Sequence, residues 1–201
     1  MNSVIANEIH RARTEVKAFL PDVNSLSSED CKRILKRYSA AIAGNFVNWM
    51  AATAVACRSV EGRYAAEENV YVEVRDDHSG MLKEFVKNSD ARPTQEDYDY
   101  VEQFVSGVQI EVSKMSGLFL TTLMGVLENT SADFVPFLSE ASKKLGNTNL
   151  RYTDVHGEAD KEHADQFVWA LEHEAKNYEN AEQSIKEGVD TTVLFLKGIF
   201  A

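Results

Sequence analysis

Cysteine, proline and positive charge are what this 201-residue sequence has least of. Two cysteines, Cys31 and Cys57, cannot build a disulfide framework, and neither has the close Cys or His spacing of a zinc site. Three prolines leave long stretches free of helix breakers. Basic residues number 21 against 32 acidic ones, for a net charge of −11. That balance argues against a phosphate backbone or an anionic membrane as the main partner, because both require a basic footprint. Long hydrophobic runs are missing too. Met1 to Lys17 mixes charged and apolar residues without the unbroken apolar stretch of a signal peptide. Ser39 to Cys57 is uncharged over 19 residues, yet its asparagines, glycine and alanines leave it too weakly apolar to span a bilayer. The expectation is a cytoplasmic protein with neither nucleic acid nor membrane as partner. No linker is long or Gly/Ser-rich enough to divide the chain, so one domain over residues 1–201 is expected, large enough to bury a core without disulfides.

What is present is helix-forming sequence, and the fold class it predicts is all-α. A first helix is expected over Val4 to Phe19, stopping near Pro21. Ser27-Ser28-Glu29-Asp30, with serine caps and early acids, opens a second that should run to about Cys57. Arg63 to about Arg75 reads as helix despite the alternating β-branched run Val70-Tyr71-Val72-Glu73-Val74. A short helix from His78 to Lys87 follows, then a loop to Pro93. Thr94-Gln95-Glu96-Asp97 starts a long helix to about Glu128, and Ser131 to Leu145 a shorter one ended by Gly146. Arg151 to about Asn177 and a last segment to Phe200 bring the expected count to seven or so.

The chemistry concentrates in Tyr152-Thr-Asp-Val-His156-Gly-Glu-Ala-Asp160-Lys-Glu-His163. On a helix His156, Asp160 and His163 fall at roughly 0°, 40° and −20°, one narrow stripe continued by Phe167, Ala170 and Leu171. Glu158, Glu162 and Asp165 fall on the opposite face, towards water. Two imidazoles and a carboxylate buried together are costly unless something pairs them, and a divalent metal would satisfy all three. Elsewhere, Glu128 is the only charged residue between Met115 and Ala132, on a face shared with Gly117, Thr121, Met124 and Gly125. An isolated carboxylate there suggests an inward ligand, although a last-turn acid reaching solvent fits the same pattern. His78 lies on the apolar side of its helix with Met81, Leu82 and Phe85, and Glu73 sits upstream among valines. Either could equally be an ordinary core residue. His10 and His173 fit no such pattern.

Together these residues resemble a family, the haem-oxygenase-like diiron oxidases. Tyr152-x-x-x-His156-x-x-x-Asp160-x-x-His163 is similar to its late-helix signature, and Glu128 in Glu-Asn-Thr-Ser to its mid-chain glutamate. Asn69-Val-Tyr-Val-Glu73 followed by His78-Ser-Gly-Met-Leu is similar to its early element, with Glu68 and Asp77 as substitutes for Glu73. Ser25-Leu-Ser-Ser-Glu29, leading into Arg37-Tyr38, is similar to the entry to its second helix. The resemblance implies a seven-helix haem-oxygenase-like bundle with six ligands, Glu73, His78, Glu128, His156, Asp160 and His163, holding two Fe(II) ions. It implies an oxidoreductase that uses O2 to oxidise a small organic substrate. Candidate substrates are an amino-acid-like amine or an aliphatic acid, and candidate outcomes are N-oxygenation, hydroxylation or C–C cleavage. The substrate pocket is expected between the second helix and the long helix, with Tyr38, Asn45, Phe46, Trp49 and Thr121 as candidates. An external electron donor and a homodimer are compatible with the chain.

Three other readings stay open at this point. A haem oxygenase would ligate haem through a first-helix histidine, for which His10 is placed. A thiaminase-like relative would work without metal, through acids and Cys57. A non-catalytic helical module would bind a partner through its acidic surface, making the polar stripe coincidence.

Overall fold

In the computed structural model, which describes residues 1–157 and 162–201, helix dominates the described residues and no strand forms among them. Nine α-helices appear among the described residues: α1 (Asn2–Phe19), α2 (Ser28–Ile42), α3 (Phe46–Ala56), α4 (Val60–Arg75), α5 (His78–Asn88), α6 (Gln95–Ser113), α7 (Gly117–Lys144), α8 (Arg151–Glu174) and α9 (Ala181–Phe200). Among the described residues no helix is long and apolar enough to cross a membrane.

Helix starts follow local chemistry. Ser27 and Asp30 form a capping box at α2, and Thr94 with Asp97 forms another at α6, each pair satisfying two orphan donors of the first turn. The described residues hold nine helices rather than the expected seven or so, and the expected boundaries fail at three places. The second helix breaks after Ile42, where Gly44 takes φ +90°, a conformation a side chain would oppose. The long helix breaks between Ser113 and Gly117, where Met115 takes φ +52° without being a glycine. The expected boundary after Glu128 does not exist. α7 runs on through Asn129-Thr-Ser, whose side chains turn back to carbonyls of their own helix: Asn129 to Gly125, Thr130 to Val126, Ser131 to Glu128. Pro136 lies inside α7, and the carbonyl it leaves without an N–H belongs to Ala132, an exposed residue that water can serve.

α7 is the axis of the bundle. Every residue from Gly117 to Glu128 is buried, as expected of a helix apolar all round its surface. It packs against α8 and α9 and also against α3, α1 and α2. α4 runs as helix through its β-branched run because Gly62, Ala65, Ala66, Asn69 and Glu73 make a narrow inward face, while Tyr71 and Val74 stay exposed. Tertiary packing of that face overrides the local β preference.

Candidate functional site

Glu73 ends the inward face of α4, and the chain then turns through Asp76 and Asp77 into α5. Asp77 adopts φ +53° and its carboxylate accepts from the Gly80 N–H, capping α5. The turn folds the first residue of α5 back on the last turn of α4, so that His78 Nδ1 donates to Glu73 Oε1 at 2.7 Å. Both are buried, Glu73 at 7% exposure and His78 at 2%. With Nδ1 so engaged, Nε2 of His78 is the nitrogen left over; it is buried and has no hydrogen-bond partner among the described residues. Glu68 and Asp77, the substitutes for Glu73, are exposed.

α8 supplies the facing imidazole. His156 Nδ1 donates to the Tyr152 carbonyl at 2.7 Å, one turn back, which again leaves Nε2 as the lone-pair nitrogen. Its ring lies 4.6 Å from that of His78 and 4.2 Å from that of Tyr152, centroid to centroid. Glu73, His78 and His156 each offer a ligand atom within 4.8 Å of the others. Desolvation pulls His156 down to about 4, so its imidazole is neutral at neutral pH.

α7 brings Glu128, 5% exposed, to 3.8 Å from His163 Nδ1, one heptad along α8 from His156. Burial pushes the Glu128 carboxyl above its ordinary range; His163 pulls it back, the Glu73 charge adds to the rise, and His78 opposes it. His156 feels Glu73, His78 and His163 in turn, so the five groups share one electrostatic field. The structure thus brings together Glu73, His78, Glu128, His156 and His163, from four helices. Asp160 lies outside the described residues.

Glu73, His78, Glu128 and His156 of the cluster line a pocket. Its walls come from α2, the start of α3, α4, α5, α7, α8 and the α2–α3 turn. Of the five residues expected to line it, Tyr38 and Phe46 do. Three do not. The Asn45 amide bonds the Ala41 carbonyl at the α2–α3 break. Trp49 is buried edge-on against Phe195, its ring 5.4 Å away, because the break at Gly44 resets the helical phase carried from Tyr38. Thr121 shares a face with Glu128 but lies seven residues away, roughly 10 Å along the axis, where it bonds Gly117 and Cys57.

The wall residues not anticipated include Tyr152 and Ser131. Helical spacing was their signal, since Tyr152 is four residues before His156 and Ser131 three after Glu128. Tyr152 bonds the Tyr38 hydroxyl at 2.8 Å across the pocket wall. The remaining candidates fall elsewhere. His10 is exposed on α1, and Cys57 is buried against Thr121 and lines no part of the pocket.

No protein-family model matches the chain, and no curated protein matches its sequence. Among solved structures, the fold matches the crystal structure of a TenA homologue from Pseudomonas syringae pv. tomato with a TM-score of 0.64. The two chains are 15% identical, and the match covers 97% of this chain and 92% of that one. At that identity the likeness shows the fold alone.

Proposed function

We propose that the protein is a metal-dependent oxidase, holding Fe(II) in the cluster on α4, α5, α7 and α8 and oxidising a small organic substrate in the adjoining pocket. One observation carries this reading. The Nδ1 atoms of buried His78 and half-buried His156 are engaged by oxygen acceptors, and the buried Nε2 of His78 has no hydrogen-bond partner among the described residues, beside two buried carboxylates. Acceptors in that number, with no lysine or arginine lining the pocket among the described residues, call for a positive ion, and mixed imidazole and carboxylate donors suit iron. Glu73, His78, Glu128, His156 and His163 would hold it, with Asp160 as a sixth candidate on the same helix. Bound iron would supply the electrons and the binding position for O2. The chain's own residues do the rest. Glu73 and the Tyr152 carbonyl fix the ring orientation and tautomer of His78 and His156, and the apolar wall keeps water from the reacting groups.

The likeness to a TenA homologue supports a second reading, a thiaminase-like enzyme that works without metal. Cys57 lies outside the pocket, so in that reading the Glu73–His78 pair would take the acid–base role. Anaerobic Fe(II) titration of chelator-treated protein separates the two. Uptake of about two ions per chain, followed by O2 consumption, and loss of both in His163→Ala, are expected. Full iron loading by His163→Ala would overturn the ligand assignment. No iron uptake, with thiamine hydrolysis by the metal-free protein, would replace the first reading with the second.

A further inference from the structure

Only one face of α4 is covered, although the opposite face is apolar too. On a helical wheel with Val60 at 0°, the buried residues Gly62, Ala65, Ala66, Asn69 and Glu73 lie between roughly 140° and 240°. Directly opposite, Val60, Tyr64, Glu67, Tyr71 and Val74 make a stripe about 80° wide and about 21 Å long. All five are exposed, the valines and tyrosines by 56% to 77%. The outer ridge of a surface helix is ordinarily polar. Here it alternates steps of four and three residues, the spacing by which one helix seats on another. Tyrosines are also favoured where proteins meet.

The order of the stripe says what covers it. Val-Tyr-Glu-Tyr-Val reads the same from either end, with Val60 and Val74 each seven residues from Glu67. A two-fold interface needs such a self-complementary patch. We infer that the outer face of α4 is a self-association surface, on which two copies of this chain pack antiparallel about a two-fold axis beside Glu67. Each Val60 then meets the other copy's Val74, and each Tyr64 the other copy's Tyr71. The flanking charges agree. Arg75 bonds Asp76 and lies 5.2 Å over the Tyr71 ring, at the edge of the stripe. Glu61, on the same flank, stands 3.9 Å from His173 of α8. Antiparallel packing joins like flanks in reversed order, so Glu61 of each copy comes level with Arg75 of the other. Glu67 meets its own copy on the axis, which weakens the pair while fixing its register. The inference goes beyond the oxidase reading and does not rest on it, because this face holds none of the residues of the metal cluster.

Sedimentation velocity on the full metal-free chain, from about 1 μM to about 500 μM, tests it and should show a monomer–dimer equilibrium. Tyr71→Ser should weaken the dimer at least about tenfold and leave the melting temperature of dilute protein unchanged, since the side chain is exposed. Arg75→Glu should weaken it by about as much, and Arg75→Glu combined with Glu61→Arg should return it to within about threefold of the wild type. Glu67→Gln, which removes the like charges on the axis, should tighten it several-fold. A chain that stays monomeric throughout the range would overturn the inference, as would a dimer indifferent to Tyr71→Ser. A double variant no better than Arg75→Glu alone would overturn the antiparallel register. Iron uptake by a chain that stays monomeric would keep the oxidase reading and sink this one. A dimer that responds to these variants and takes up no iron would do the reverse.

Discussion

The bundle buries carboxylates at both ends of α8, and the two centres treat their charge in opposite ways. At the C-terminal end Glu174 is fully buried and surrounded by donors. It accepts from the backbone N–H groups of Arg58 and Ser59, from the Ser59 hydroxyl at 2.6 Å, and from the Tyr178 hydroxyl at 3.3 Å. Gly117 and Gly62 make room for it: a Cβ at Gly117 would stand 2.5 Å from Glu174 Oε1, and one at Gly62 3.2 Å from Oε2. At the other end Glu73 and Glu128 sit among imidazoles, with the Nε2 of His78 unpartnered among the described residues. The residue types are alike and the burial is alike. What differs is the supply of protons, and that separates a charge used to join helices from one left for a cation.

The sharpest way to break this comparison is to remove each carboxylate in turn. Glu174→Ala strands the buried Ser59 N–H and hydroxyl and the part-buried Arg58 N–H, which now share one acceptor. It should cost about 3–5 kcal/mol in urea unfolding, or a melting temperature lower by on the order of 10 °C. A loss below about 1 kcal/mol would show that Glu174 joins nothing.

Glu128→Gln should act the other way in metal-free protein. Burial and the Glu73 charge already disfavour the ionised carboxylate, so a neutral isostere should leave stability unchanged or raise it by about 1 kcal/mol. Its folded pKa is raised, so the folded state holds the proton more tightly. Wild-type stability should therefore fall as pH rises from the ordinary carboxylate range towards the folded value, and the variant should lack that slope. Saturating Fe(II), at a hundredfold excess over its dissociation constant, should add about 2.7 kcal/mol to the wild type and much less to Glu128→Gln. Thermal melts with and without metal read both effects. A large loss in the metal-free variant would make Glu128 structural, like Glu174.

The same contrast explains what could be read from the sequence. His156 and His163 could be placed on one inward stripe because a single unbroken helix carries both, and Glu128 stood out because seventeen neighbours around it carry no charge. The entry to α2 was legible through Ser27 and Asp30, whose side chains complete a local motif. The breaks at Gly44 and Met115 were not, because they are backbone choices set by packing. Met115 holds φ +52° against its own preference. Once the second helix breaks, helical phase no longer relates Trp49 to Tyr38, and Trp49 packs in the core against Phe195 while Tyr38 lines the pocket. Glu174 escaped notice for a related reason. Its partners are backbone N–H groups of Arg58 and Ser59, more than a hundred residues away and invisible to any side-chain pattern.

Cys57 gives the gentlest test, since it lies beside the Glu174 centre and away from the pocket. Burial pushes its thiol up to about 11, with the Thr121 hydroxyl only partly opposing that. At pH 8 about a thousandth of it is thiolate, and its sulfur is enclosed, 2.9 Å from where a Cβ on Gly62 would stand. Cys31 is also buried, and desolvation raises its thiol too. Iodoacetamide should therefore label neither cysteine in the native protein over an hour-scale exposure and both in urea, as read by intact mass. Cys57→Ser should leave iron uptake and O2 consumption unchanged. Rapid native alkylation at Cys57 that also abolished activity would carry the chemistry from the imidazole–carboxylate end of α8 to the Glu174 end. It would then be the proton-rich centre, and not the proton-poor one, that works on substrate.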